Sequence, residues 1–131
     1  MLINFKNSFY KRFLSETAFT KVEGKDNNFV VVGIITGKTS GEKHYLTADE
    51  NRNPILVYGG DIYIVDGSEN GFEPRLEHPS DKEIIYGYME LVNNPGHFHG
   101  LASGNTEALK IFRENYDKAC MGYSNFTKNK Y

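Results

Sequence analysis

The chain has 131 residues, 39% of them hydrophobic and 14% aromatic, and a formal net charge of −2. That length suits one domain over residues 1–131 and allows a core without disulfide or metal staples. No apolar run approaches the ~18 residues of a membrane-spanning helix, and the charge gives no electrostatic reason to expect nucleic acid.

The first residues, MLINFKNSFYKRFL, mix lysines and an arginine with apolar residues and offer no small-residue cleavage site, so no secretory signal is expected. The lone cysteine, Cys120, cannot close an internal disulfide, which points to a reducing compartment and a cytoplasmic protein. Residues 7–15 place Phe9, Tyr10, Phe13 and Leu14 at helical spacing and predict a short amphipathic N-terminal helix. After a polar turn, EGKDNN, residues 29–36 (FVVVGIIT) form a continuous β-branched run, as expected of a strand buried on both faces.

Thr47-Ala48-Asp49-Glu50 matches a capping box and predicts a short helix that Pro54 breaks, with ILVY following. Residues 61–66 (DIYIVD) alternate as a second strand and run into the turn GSENG. Residues 83–92 (EIIYGYMELV) read as a third strand with no polar face, and residues 93–104 as a loop. Asn105-Thr106-Glu107 opens the strongest helix, with Leu109, Phe112 and Tyr116 on one stripe. ACMGYS then returns as a fourth strand, and TKNKY is a frayed tail. The order β-α-β-β-α-β predicts an α+β, ferredoxin-like fold: an antiparallel sheet with helices on one face, plus the N-terminal helix. Such a fold does not choose a chemistry.

His97 and His99 stand two apart, with His44, His78 and Cys120 elsewhere, but the ligand set is incomplete and no metal is expected. Asp66 to Glu77 overlays a calcium-loop template, yet Pro74 falls at its ninth position and the turn chemistry of Gly, Ser and Asn accounts for the match. Residues 66–83 carry six acids against Arg75 and Lys82. They form either a solvated loop or an acidic patch that draws in a small cation. Glu69, where the second strand ends, would project over a pocket between subunits. Tyr58, just before Gly59-Gly60, would present its ring and hydroxyl to the same place. Gly37-Lys38-Thr39 lacks phosphate-loop spacing, and no Ser-His-Asp or Cys-His arrangement stands out.

Three segments taken together resemble the small bacteriophage S-adenosylmethionine (SAM) lyases: FVVVGIIT, then IYIVDGSENGFEPRLE, then EALKIFRENYDKACMGYS. They cover residues 29–36, 61–77 and 107–124. The resemblance implies a ferredoxin-like homotrimer with active sites at subunit interfaces, acting in the host cytoplasm against restriction systems that need SAM. It implies SAM as substrate, with no other cofactor. The products would be methylthioadenosine and homoserine lactone, formed when the substrate's own carboxylate attacks its γ-carbon. Glu69 would hold the cationic end of SAM and Tyr58 would orient its tail, with Asp66 and Ser68 as further substrate-binding residues. Tyr86 and Tyr88, on a sheet face that helices leave open, would build the trimer. The competing expectation is a small non-enzymatic inhibitor or immunity-type protein, which needs no catalytic set.

Overall fold

The structure, a computed structural model, describes residues 1–5, 8–23, 28–69, 72 and 83–123. Nine strands, with a 3-10 turn at Gly59–Asp61 between the seventh and eighth, precede three α-helices among these residues. The strands are β1 (Leu2–Phe5), β2 (Ser8–Phe13), β3 (Thr20–Glu23), β4 (Phe29–Val30), β5 (Gly33–Gly37), β6 (Lys43–Ala48), β7 (Pro54–Tyr58), β8 (Ile62–Asp66) and β9 (Glu83–Gly87). The helices are α1 (Met89–Asn93), α2 (Pro95–Ser103) and α3 (Thr106–Gly122).

Two antiparallel sheets result, one of six strands in the order β3-β2-β7-β6-β5-β9 and one of three in the order β4-β1-β8. This overturns the ferredoxin-like expectation. The six-stranded sheet is the middle layer. Ile35, Leu46 and Leu56 turn to one face and pack with Leu91, Leu101, Ala108 and Phe112 of the helices. Ile34, Tyr45, Ile55 and Val57 turn to the other and pack with Ile3, Phe5 and Ile62 of the smaller sheet. Strands covered on both faces read as unbroken apolar runs because each alternate residue has a core of its own.

The expected N-terminal helix is strand β2. Phe9 and Phe13 are four apart, a spacing that fits one face of a strand as well as one face of a helix. Both residues pack into the core between the sheets. The expected capping-box helix is also absent. Thr47 lies inside β6, where its buried hydroxyl donates to the Val30 carbonyl at 2.6 Å. Asp49 instead organises the turn to β7, its Oδ1 accepting from the backbone N–H of Asn51 (2.9 Å) and Asn53 (2.8 Å). Arg52 takes a positive φ of 63° in that turn and forms a 2.6 Å ion pair with Asp117 of α3.

FVVVGIIT is strand at both ends, but the chain crosses between the two sheets at Val31 and Val32. The expected third strand ends at Gly87 and turns into α1. A Cβ on Gly87 would meet the Val32 carbonyl oxygen at 2.5 Å, and one on its cross-strand partner Gly33 would meet Leu91 Cδ2 at 2.6 Å. The paired glycines thus let Leu91 lie directly on the sheet. The expected loop at residues 93–104 is largely helix α2, begun by Asn94, whose side chain accepts from the Gly96 N–H, and ended by Gly104 in the left-handed conformation. Helix α3 starts as expected, with Asn105 accepting from the Ala108 N–H at 3.0 Å. It continues through ACMG, where a fourth strand was expected. Residues 24–27 of the polar turn, most of the acidic segment with its calcium-loop match and His78, and residues 124–131 lie outside the described residues.

Candidate functional site

A cleft of about 650 Å³ opens where the end of β8 faces the start of α1 and the last turns of α3. Asp66, Ser68 and Phe72 line it from the β8 side. Tyr88, Met89 and Glu90 contribute from the α1 side, and Asn115, Lys118 and Tyr123 from α3 and the residue after it. Its volume lies in the roughly 300–1,000 Å³ range of small-molecule pockets, and its mixture of apolar wall and a few polar groups is characteristic of them.

Two expected site residues, Asp66 and Ser68, line this cleft together. Asp66 Oδ1 accepts from the Ser68 N–H at 2.9 Å, so a local turn fixes their spacing. Glu69 is exposed, and its Oε2 accepts a 3.0 Å hydrogen bond from the Tyr86 hydroxyl. That bond to a carboxylate, more than any burial, pushes the Tyr86 phenol above its ordinary value. Phe72 packs edge-on against the Tyr86 ring, with centroids 5.2 Å apart. Glu69 and Phe72 together fasten the wall that carries Asp66 and Ser68 to strand β9.

Tyr58 is not brought to this place. It ends β7, opposite His44 of β6, and the two rings stand 5.8 Å apart beside Phe19. Tyr86 and Tyr88 do not form an open stripe either. Tyr88 is only 4% exposed, on the helix side of the sheet, while Tyr86 turns to the other side against Phe72. The two tyrosines therefore do not share one open face, and Tyr86 stays partly exposed.

Set against known protein-family models, curated proteins and solved structures, the chain matches none.

The sequence reading missed the helical half of the cleft. Tyr88 lines it, and its hydroxyl is hydrogen-bonded to Nε2 of His97 at 2.5 Å. Both residues are 4% exposed. Burial holds His97 below the ordinary histidine value against the pull of Glu90, and burial with Glu90 raises Tyr88 well above the usual phenol range. The pair is a neutral phenol on a neutral imidazole. Glu90 is half-buried beside it, and Asn115 Nδ2 donates to Glu90 Oε2 at 3.4 Å and to the Ile111 carbonyl at 2.9 Å. Burial, then the nearby Asp66, push the Tyr123 phenol upward. No spacing in the sequence connects residues 66–72 with 88–90 and 115–123; only the packing of α1 and α3 does. Among the described residues no three His, Cys, Asp or Glu side chains group as metal ligands, and His97 and His99 differ in burial.

Proposed function

We propose that this chain binds S-adenosylmethionine in the Asp66 cleft and cleaves it as a lyase to methylthioadenosine and homoserine lactone, in the cytoplasm of a host cell. The observation that carries this reading is the lining itself: Asp66, Ser68 and Glu90 stand in one pocket of suitable size beside Phe72, Tyr88 and Tyr123. Aromatic walls suit a purine and a sulfonium, the latter through cation–π contacts of about 1–2 kcal/mol when water is excluded. Carboxylates suit an ammonium or ribose hydroxyls. The architecture that the sequence resemblance implied is not the one observed, so the proposal stands on these residues and not on fold.

Lactone formation asks little of the protein. The leaving sulfonium and the attacking carboxylate both belong to the substrate, and holding them within reach of each other can supply several kcal/mol. The chain would fold the methionine tail against its aromatic wall and exclude water. No helix among the described residues is long and apolar enough to cross a membrane.

Incubating the purified protein with SAM and separating the products by chromatography tests the reading. Methylthioadenosine with unhydrolysed lactone supports it. A ligand-dependent rise in Tm without product would reduce it to a binding module, and neither effect would end it. A second reading, a non-enzymatic partner-binding protein, is favoured by strand β8. That strand borders the smaller sheet with Tyr63 46% and Ile64 52% exposed. This reading expects neither product nor stabilisation by SAM.

A further inference from the structure

We infer that the cleft contains a primary-ammonium site built from Glu90, Asn115 and Tyr88. The inference rests on the reading of this cleft as a ligand site, and it names the chemical group the site takes. Glu90 is the pivot. It lines the cleft half-buried, and among the described residues no Lys, Arg or His forms an ion pair with it. Among the described residues its carboxylate accepts a hydrogen bond from the Asn115 amide, at a long 3.4 Å. A carboxylate partly withdrawn from water favours a cation beside it, and a ligand can supply one.

Two neighbours, Asn115 and Tyr88, can accept as well, while Lys118 and Met1 bring amino groups to the same lining. Asn115 already spends its Nδ2 on Glu90 and on the Ile111 carbonyl, which leaves its Oδ1 as the group that can still bond. The Tyr88 hydroxyl is engaged with His97 Nε2. A phenol is the better acid and a neutral imidazole the better base, so Tyr88 donates and its oxygen keeps lone pairs for a donor. Burial supports that assignment, since it holds His97 neutral and the phenol protonated. Glu90, Asn115 and Tyr88 thus bring a carboxylate, an amide and a phenol to adjoining elements of the cleft, which Met1 and Lys118 also line. A primary ammonium carries three N–H donors, whereas a quaternary ammonium of equal charge carries none. The site thus selects for donors as well as charge, with Phe72, Tyr88 and Tyr123 covering the ligand's body.

The test uses the whole protein and three small probes that share one ring: tyramine, its N,N,N-trimethyl analogue and neutral 4-ethylphenol. Binding is followed by amide chemical shifts at residues 88–90 and 115–119. Tyramine should bind, and each of the other two should bind at least about tenfold more weakly, as loss of charge-assisted hydrogen bonds requires. Glu90→Gln, nearly isosteric, should weaken tyramine about ten- to a hundredfold while Tm stays close to wild type. Glu107→Gln, at the exposed start of α3, should leave it unchanged. Equal binding of the three probes would overturn the inference, as would a Glu90→Gln protein that binds tyramine normally. So would no binding of any probe up to about 10 mM, beyond the weak end of specific recognition. Tyramine binding without SAM turnover would remove the lyase and keep the ammonium site. SAM turnover unaffected by Glu90→Gln would do the reverse.

Discussion

The Tyr86 hydroxyl donates to Glu69 Oε2 at 3.0 Å, and this contact joins the edge strand β9 to the segment that walls the cleft. Glu69 thus acts on the candidate site by holding Asp66 and Ser68 in place, with Phe72 packed on the same tyrosine. Two side chains joined by a hydrogen bond should be coupled: Glu69→Gln and Tyr86→Phe should each lower stability slightly, and the double variant should lose less than the sum of the two. Denaturant unfolding of the four proteins measures this. Strictly additive losses would mean that the hydrogen bond contributes nothing in solution.

Helix α2 carries its boundary signals in the sequence. Asn94 followed by Pro95, with Gly104 ten residues on, is an N-cap, a first-turn proline and a left-handed C-cap in correct order. The two histidines and two glycines between them suggested a loop instead. Asn94→Ala and Asn105→Ala should each cost about 1 kcal/mol, the usual value of an N-cap side chain, with Tm falling by a few degrees. No change in either would show that the helix starts are held by tertiary packing alone.

Other misreadings have physical causes of a different kind. Phe9 and Phe13 satisfy a strand and a helix equally, and only the partner strands β3 and β7 decide between them. Thr47 and Asp49 carry side chains that cap helices, but the same oxygens can bond a distant carbonyl or close a turn, as they do here. What was legible was local and strong: the strand character at either end of 29–36, though not its break between two sheets, the strand at 61–66 and the stripe of α3. Of the cleft lining, Asp66 and Ser68 were legible through the resemblance and not through spacing or periodicity. Glu90, Asn115 and Tyr88 were not, because the fold alone brings them to one cleft.

Gly87 offers a sharper test of how the cleft is positioned. Its backbone passes so close to β5 that a methyl group would meet the Val32 oxygen at 2.5 Å, the Gly33 Cα at 2.9 Å and Leu91 Cδ2 at 2.9 Å. Two of these obstacles are backbone and cannot swing aside. Gly87→Ala should therefore destabilise by more than about 3 kcal/mol, among the larger effects of a single substitution. If it folds, ligand binding at the adjacent Tyr88 and Glu90 should be lost first. A stable Gly87→Ala protein would mean that β9 and β5 lie further apart than described.

The buried Tyr88–His97 pair predicts how stability depends on pH. Burial, set against the opposing pull of Glu90, depresses the folded-state value of His97 below its ordinary 6.5. The unfolded chain then takes up the proton at a pH where the folded chain does not. Stability is present in full above that range and is lost as pH falls through 6.5, until the folded imidazole also protonates. His44 is shifted in the same direction, chiefly by burial, and adds to the slope. One unmatched proton changes the unfolding free energy by at most about 1.4 kcal/mol per pH unit. His97→Gln keeps a polar partner for Tyr88 but does not titrate. Its stability should therefore fall less steeply than wild type between about pH 7 and pH 5, with the His44 share of the slope remaining. Urea unfolding at several pH values, with Tyr88→Phe alongside, makes the measurement. Tyr88→Phe should cost about 1–3 kcal/mol at neutral pH, because His97 Nε2 is left buried without its partner. Parallel pH profiles for wild type and His97→Gln would show that the imidazole charges inside the fold at its ordinary pH, and the neutral pair behind the cleft wall would have to be abandoned.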